Sequence, residues 1–280
     1  MKHIAQRTLA LILALMMVLS VTTAFASGKT VAIDRKSFPD KAFRAYVSKN
    51  FDENKDGKLS ASEIKKVTGI EYIEGSNIKS LKGIEHFTML DTLTLGGTSV
   101  KTLDLRKNTR LKTLDIYSEH SLKTLKITGL KRLDWVDVNN KNLKSLDIAG
   151  CTKLLSSAKG SWKFEGDTVD WYDYAMFWTH KNTKLMNGKK LLREYAKPKS
   201  VKFRKSNITI KVDDEIKLQS LMKITPSTSF YPIKFSCAPT GIIEIYDDDM
   251  ACCFVGKKPG TTTITAKCGG KTAKLKVTVE

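Results

Sequence analysis

The chain has 280 residues, a formal net charge of +19 and 41% hydrophobic residues. That length holds more than one core. The surplus of Lys and Arg is spread along the chain, with no basic stripe and no aromatic–basic interleaving, which argues against a nucleic-acid partner; a diffuse positive field suits anionic polymers such as those of a cell wall.

Residues 1–26 are expected to be a signal peptide. Lys2 and Arg7 form the charged start, Leu9 to Leu19 the apolar run, and Ala24-Phe25-Ala26 the small-residue cleavage site. No later stretch is apolar enough for a transmembrane segment. The expected location is therefore secreted or extracellular, with cell-wall association as a further option. Five Cys, an odd number, leave at least one without an intramolecular disulfide partner.

Residues 27–68 carry the sharpest chemical signal. Asp52-Glu-Asn-Lys-Asp-Gly-Lys-Leu-Ser-Ala-Ser-Glu63 has the spacing of an EF-hand-like calcium loop. Asp52, Asn54, Asp56, the carbonyl of Lys58, Ser60 and Glu63 stand at the ligand positions, and Gly57 stands where the chain must turn sharply. Phe43, Tyr46, Val47 and Phe51 recur at helical intervals before the loop. Ser60 and Glu63 make a capping box for a helix after it. One structural Ca²⁺ is expected, bracing a helical cap. A dockerin-like cohesin-binding module would need a second such loop, and no other stretch has that spacing.

Residues 69–155 repeat L-x-x-L-x-L. The first set starts at Leu90, Leu111 and Leu133, at spacings of 21 and 22 residues. A second set, half a period later, starts at Val100, Leu122 and Leu143. A period in the low twenties is the signature of leucine-rich repeats, whose coils bury their apolar faces only by stacking. Residues between the apolar positions should point outward. Tyr117, Asp115, Trp135 and Asp137 are the expected ligand-facing residues. Asn108 and Cys151 recur after the second strand, where turn backbone needs partners.

Residues 156–198 break the repeat. Trp162, Phe164, Trp171, Tyr172, Tyr174, Phe177 and Trp178 crowd together here. They suit either a sugar-stacking platform or a cap over the last coil, and the cap is favoured. Lys189 to Tyr195 reads as a short helix or irregular linker. From residue 199 to 280, some seven or eight short alternating segments suggest a β-sandwich.

Phe38-Pro-Asp-Lys-Ala-Phe-Arg-Ala-Tyr-Val, the calcium-type loop and the following coils resemble the N-terminal half of leucine-rich-repeat surface proteins secreted by Gram-positive bacteria. Lys257-Lys-Pro-Gly-Thr-Thr-Thr-Ile-Thr-Ala-Lys and the closing strand resemble a bacterial Ig-like domain of group 2. The expected fold class is mainly β and multidomain: a small helical EF-hand-like N-cap, a short leucine-rich-repeat solenoid and a C-terminal Ig-like β-sandwich. The resemblance implies extracellular binding or adhesion, with a protein or glycan ligand on a host surface or matrix. A structural envelope protein holding the producer's own anionic wall through its Lys residues is the alternative. No catalytic constellation is visible: His86, His120 and His180 stand in no metal-ligand spacing, and no nucleophile motif occurs.

Overall fold

The computed structural model describes residues 30–75, 77–117, 121–158, 161–165, 168–172, 176–248 and 251–280. The expected signal peptide lies outside them. So do Tyr174, His120 and the side chains of Trp162, Phe164, Trp171, Tyr172 and Phe177.

The molecule begins with a short strand, β1 (Val31–Ala32). A first helix, Lys41–Phe51, follows. Asp40 caps it, its Oδ1 accepting from the Phe43 N–H at 2.9 Å. Its Oδ2 accepts from the N–H groups of Lys79 and Ser80 at 2.8 and 3.1 Å, so one carboxylate starts the helix and ties it to the first coil. Burial opposes ionisation at Asp40, but these backbone donors outweigh it and hold the carboxyl below its usual range. Strand β2 (Lys58–Leu59) pairs antiparallel with β1, setting Val31 opposite Leu59. A second helix, Ala61–Lys66, has the expected capping box.

Two sheets then build the solenoid. The first takes β3 (Gly69–Glu74), β4 (Thr92–Gly96), β6 (Thr113–Tyr117) and β8 (Trp135–Val138) as parallel neighbours. The second takes β5 (Thr102–Asp104), β7 (Thr124–Lys126) and β9 (Ser145–Asp147), also parallel. Register follows the repeat: Leu93 lies beside Leu114, which lies beside Val136. Alternation decides the facing. Leu114 and Ile116 are buried, while Thr113, Asp115 and Tyr117 between them are partly exposed. The inward Leu, Ile and Val residues form one continuous core that also takes in Phe38, Phe43 and Val47 of the helical cap.

The repeat continues beyond where its motif ends. A short helix, Thr152–Ser157, closes the third coil. A hairpin of β10 (Ser161–Glu165) and β11 (Thr168–Tyr172) follows, and β12 (Met176–His180) then returns to lie parallel to β8, extending the first sheet to seven strands. β13 (Lys184–Asn187) adds to β9 in the same way. Lys190–Tyr195, expected as a short helix or linker, is instead strand β14, paired antiparallel with β13. Its residues are half-buried on both faces, which explains why no single alternation marks it.

The eight expected C-terminal segments are all strands: β15 (Ser200–Phe203), β16 (Asn207–Ile210), β17 (Glu215–Lys217), β20 (Ile233–Ala238), β21 (Ile243–Asp248), β22 (Ala251–Gly256), β23 (Gly260–Cys268) and β24 (Lys271–Val279). Two more, β18 (Met222–Thr225) and β19 (Ser229–Phe230), were not legible as separate segments. β16, β24, β23 and β20 form one sheet, β17, β22 and β21 another, with Phe254, Ile264, Leu275 and Val277 buried in a shared core. β19 leaves this module and pairs parallel with β14, placing Glu194 beside Ser229 and Tyr195 beside Phe230. Phe230 belongs to the solenoid core, with Tyr195, Ile224 and Ile233 packed against it. No disulfide forms among the described residues.

Candidate functional site

Two regions answer to the expectations of the sequence. The first is the loop from Asp52 to Glu63. Asp52 closes the first helix and accepts from the N–H groups of Asp56 and Gly57 at 3.1 and 3.0 Å. Asn54 Oδ1 accepts from Asp56 N–H, and Asp56 Oδ1 from Lys58 N–H. Ser60 Oγ accepts from Glu63 N–H at 3.2 Å, and Glu63 Oε2 accepts back from Ser60 N–H at 2.7 Å. The other Glu63 oxygen reaches Glu53 N–H at 2.8 Å, closing the loop on its own start. The Ser60 N–H foremost, against a burial penalty, holds the Glu63 carboxyl below its usual range. Gly57 sits at φ 77° with open space around it, so conformation and not crowding demands the glycine.

All six expected ligand positions therefore line one closed loop. Among the described residues, no three His, Cys, Asp or Glu side chains converge as a metal cluster; Asp52, Asp56 and Glu63 spend oxygens on backbone N–H groups instead. The donor set itself is hard oxygen, from carboxylates, an amide, a hydroxyl and a carbonyl, which is the chemistry Ca²⁺ requires. The fit lies in that donor set and in the way the backbone wraps. An EF-hand loop commonly pairs with a second one; here β1 supplies the pairing strand.

The second region is the outward face of the first sheet. Thr94, Asp115, Asp137 and Trp178 stand at one level on β4, β6, β8 and β12, each in register with the next. Trp135 is 42% exposed, an unusual state for so large a hydrophobic residue. Its ring lies 4.9 Å from that of Trp178, with 55° between the planes. Tyr117 lies over Gly96, where an added Cβ would stand 2.3 Å from its ring. Burial, then the neighbouring Asp137 charge, pushes the Asp115 carboxyl up. Burial pushes Asp137 up too, partly offset by a 3.1 Å hydrogen bond from Asn139 N–H.

The four expected ligand-facing residues thus share one face. Trp178 belongs with them, although the repeat motif did not reach it; its signal was its place in Met176-Phe177-Trp178-Thr179, an outward position once β12 is seen to continue the sheet. The acidic residues of the second sheet are already partnered. Asp104 bonds Arg106 at 2.6 Å, and Asp147 accepts from Ala149 and Gly188 N–H. A cleft of about 770 Å³ beside that sheet is lined by Lys82, Glu85, Asp104 and Arg106, with Leu81 and Leu103 beneath.

The turns complete the geometry. Asn108, fully buried, donates through Nδ2 to the carbonyls of Ile84 and Phe87, one coil earlier. The Cys151 thiol donates to the carbonyl of Ile127, again one coil back. Parallel strands in two sheets, a low-twenties period and an internal Asn/Cys ladder are the geometry of stacked repeat coils. In agreement, residues 38–156 match the family model described as the endo-beta-N-acetylglucosaminidase EndoS LRR domain. Over residues 38–156 the chain is similar to that leucine-rich-repeat domain.

The match starts at Phe38, so it takes in both helices and the loop between them. It concerns the leucine-rich-repeat part of that enzyme alone. No curated protein matches the chain. Among solved structures, a secreted internalin-like protein from Listeria monocytogenes is 11% identical, with 91% of this chain and 100% of that one covered and a TM-score of 0.26. The functional domain of InlJ, also from Listeria monocytogenes, is 11% identical, with 90% and 99% covered and a TM-score of 0.20. Domains 4 and 5 of the S-layer protein SbsC are 14% identical, with a TM-score of 0.24; there 40% of this chain is covered, and the chain spans 64% of that fragment. No helix among the described residues is long and apolar enough to cross a membrane.

Proposed function

We propose that this is a secreted, non-enzymatic binding protein whose leucine-rich-repeat domain takes an extracellular ligand on the outward face of its first sheet. The observation that carries this is Trp135, held exposed on a regular sheet against Trp178, on the face that also bears Tyr117 and two carboxylates. Leaving a large aromatic in water forfeits burial energy, and interface hot spots are enriched in such residues. In an adhesion assay on host cells and matrix, Trp135→Ala combined with Tyr117→Ala is expected to reduce retention at least about tenfold, the loss of one hot spot. Full adhesion by a folded double variant would remove the face from consideration.

Calcium is assigned a bracing part in the same reading. The loop joins the first helix, which covers the first coil, to the second. Bound Ca²⁺ would supply positive charge to a ring of oxygens held by Asp52, Asn54, Asp56, Lys58, Ser60 and Glu63. With a Kd on the order of 10⁻⁴ M, typical of the weaker extracellular sites, about 2 mM calcium contributes about 2 kcal/mol. EDTA should therefore lower the melting midpoint of the whole chain, and Asp52→Ala should abolish that shift. Identical midpoints with calcium and with EDTA would refute the brace.

A further inference from the structure

The chain carries 48 Lys and Arg against 29 Asp and Glu, and five described carboxylates take a cation. Asp104 pairs with Arg106, Asp134 with Lys153, Glu53 with Lys66, Glu194 with Lys184, and Glu244 with Lys257. Asp115 and Asp137 are the contrast. They sit directly beside each other on β6 and β8, where neighbouring strands are about 4.8 Å apart. Among the described residues, neither meets a Lys, Arg or His within ion-pair distance. Burial pushes both carboxyls up, and the Asp137 charge adds to the rise at Asp115. A fold that selected only for stability would place a Lys opposite one of them.

The aromatic neighbours give the second, independent indication. Trp178 is in register with Asp137, and Trp135 lies two residues before Asp137 on the same face. The two indoles contact each other at 55°, with centroids 4.9 Å apart, and so do not make one flat platform. A sugar ring stacks best on a flat aromatic surface. A slender alkyl stem ending in a positive charge needs only one exposed ring, since an ammonium within about 6 Å of an indole face gains cation–π attraction. The charged end would then meet the carboxylates. One Asp137 oxygen is engaged by Asn139 N–H, which disfavours the two-pronged grip a guanidinium seeks; a compact ammonium with three donors can be shared between two carboxylates.

We propose that the exposed Trp135, with Trp178 against it, and the Asp115–Asp137 pair together receive a lysine side chain of an extracellular protein partner. This rests on the reading of the sheet face as the ligand surface and adds the chemical class it selects. The net charge of +19 makes the assignment specific: at long range the molecule repels a cationic ligand, so retention must come from the local site.

The test uses the whole chain, titrated calorimetrically with a flexible peptide of alternating Gly and Lys. The same peptide with every Nε acetylated and a chitosan oligomer are run alongside. The lysine peptide is expected to bind, and the acetylated one at least about tenfold more weakly, the loss of one charge-assisted contact. Asp137→Asn and Asp115→Asn, isosteric changes that relieve repulsion and so keep the fold, should each weaken lysine-peptide binding to a similar degree. Equal binding of the acetylated peptide, unchanged binding by both Asn variants, binding of chitosan alone, or no binding of the lysine peptide would each overturn the proposal. The two readings fail separately. If Trp135→Ala with Tyr117→Ala abolishes adhesion while Asp137→Asn does not, the face remains the ligand surface and the lysine assignment falls. If the double variant adheres fully, the face itself is excluded.

Discussion

Phe87→Ala is expected to cost about 3–5 kcal/mol, the range for emptying a large aromatic from a packed core. The ring is fully buried. Its centroid lies 5.1 Å from that of Phe51, edge-on, and 6.3 Å from that of Phe38. Phe38 in turn meets Phe43 at 6.0 Å, and Phe51 meets Tyr46 at 5.7 Å. Phe87 is thus the point where the first coil enters the aromatic cluster of the helical cap. Its removal takes away contact area and leaves a cavity between two elements that cannot both close on it. Denaturant unfolding of the whole chain, followed by circular dichroism, should show an earlier transition for the variant. Phe87→Leu, which keeps most of the volume, should lose far less. A loss below about 1 kcal/mol for the alanine variant, the cost of an ordinary surface change, would mean that the cap does not depend on this contact.

Asn108→Ala is the second large effect, of about 1–3 kcal/mol, because two buried hydrogen bonds of about 0.5–1.5 kcal/mol each are lost. The amide satisfies the carbonyls of Ile84 and Phe87 at 2.9 and 3.1 Å in a turn closed to water. Each oxygen also accepts a backbone N–H, that of Phe87 for Ile84 and that of Leu90 for Phe87, so each loses one of two donors. Cys151→Ala should cost less, since a thiol is a weak donor to the Ile127 carbonyl and a weak acceptor. The ordering Asn108 above Cys151 is the informative result. Equal losses would show that filling the turn, and not hydrogen bonding, sets the cost.

Much of the repeat region was legible because its rule is local. In Leu111-Lys-Thr-Leu-Asp-Ile116 every inward residue is apolar, and every one is buried. Asp40 and the Ser60–Glu63 box fixed where the helices begin, since a cap is a property of three or four adjacent residues. What escaped was long-range. Val31–Ala32 is too short to show a period, and its pairing with Lys58–Leu59 is dictated by the loop between the helices. β12 and β13 continue both sheets, but the hairpin of β10 and β11 intervenes, so the spacing that marked earlier coils is lost. Trp178 was therefore seen in composition but not in place. Asp115, Asp137, Tyr117 and Trp135 occupy outward positions of β6 and β8, which strand alternation makes legible; that the two carboxylates are neighbours could emerge only from the register of β6 against β8.

The junction of β14 with β19 has a mechanical consequence. Arg193 Nε donates to the Ala158 carbonyl at 2.8 Å and its Nη1 to that of Ser227 at 2.6 Å, while Ser229 Oγ donates to the Ala196 carbonyl. With Phe230 sunk into the solenoid core, these bonds replace a swivel with a splice. A pull applied at the C-terminal module is carried into the sheet that bears β13 and β9, and the two modules turn together as one lever. Whatever holds the far end therefore also sets the direction in which Trp135 and the carboxylates beside it face.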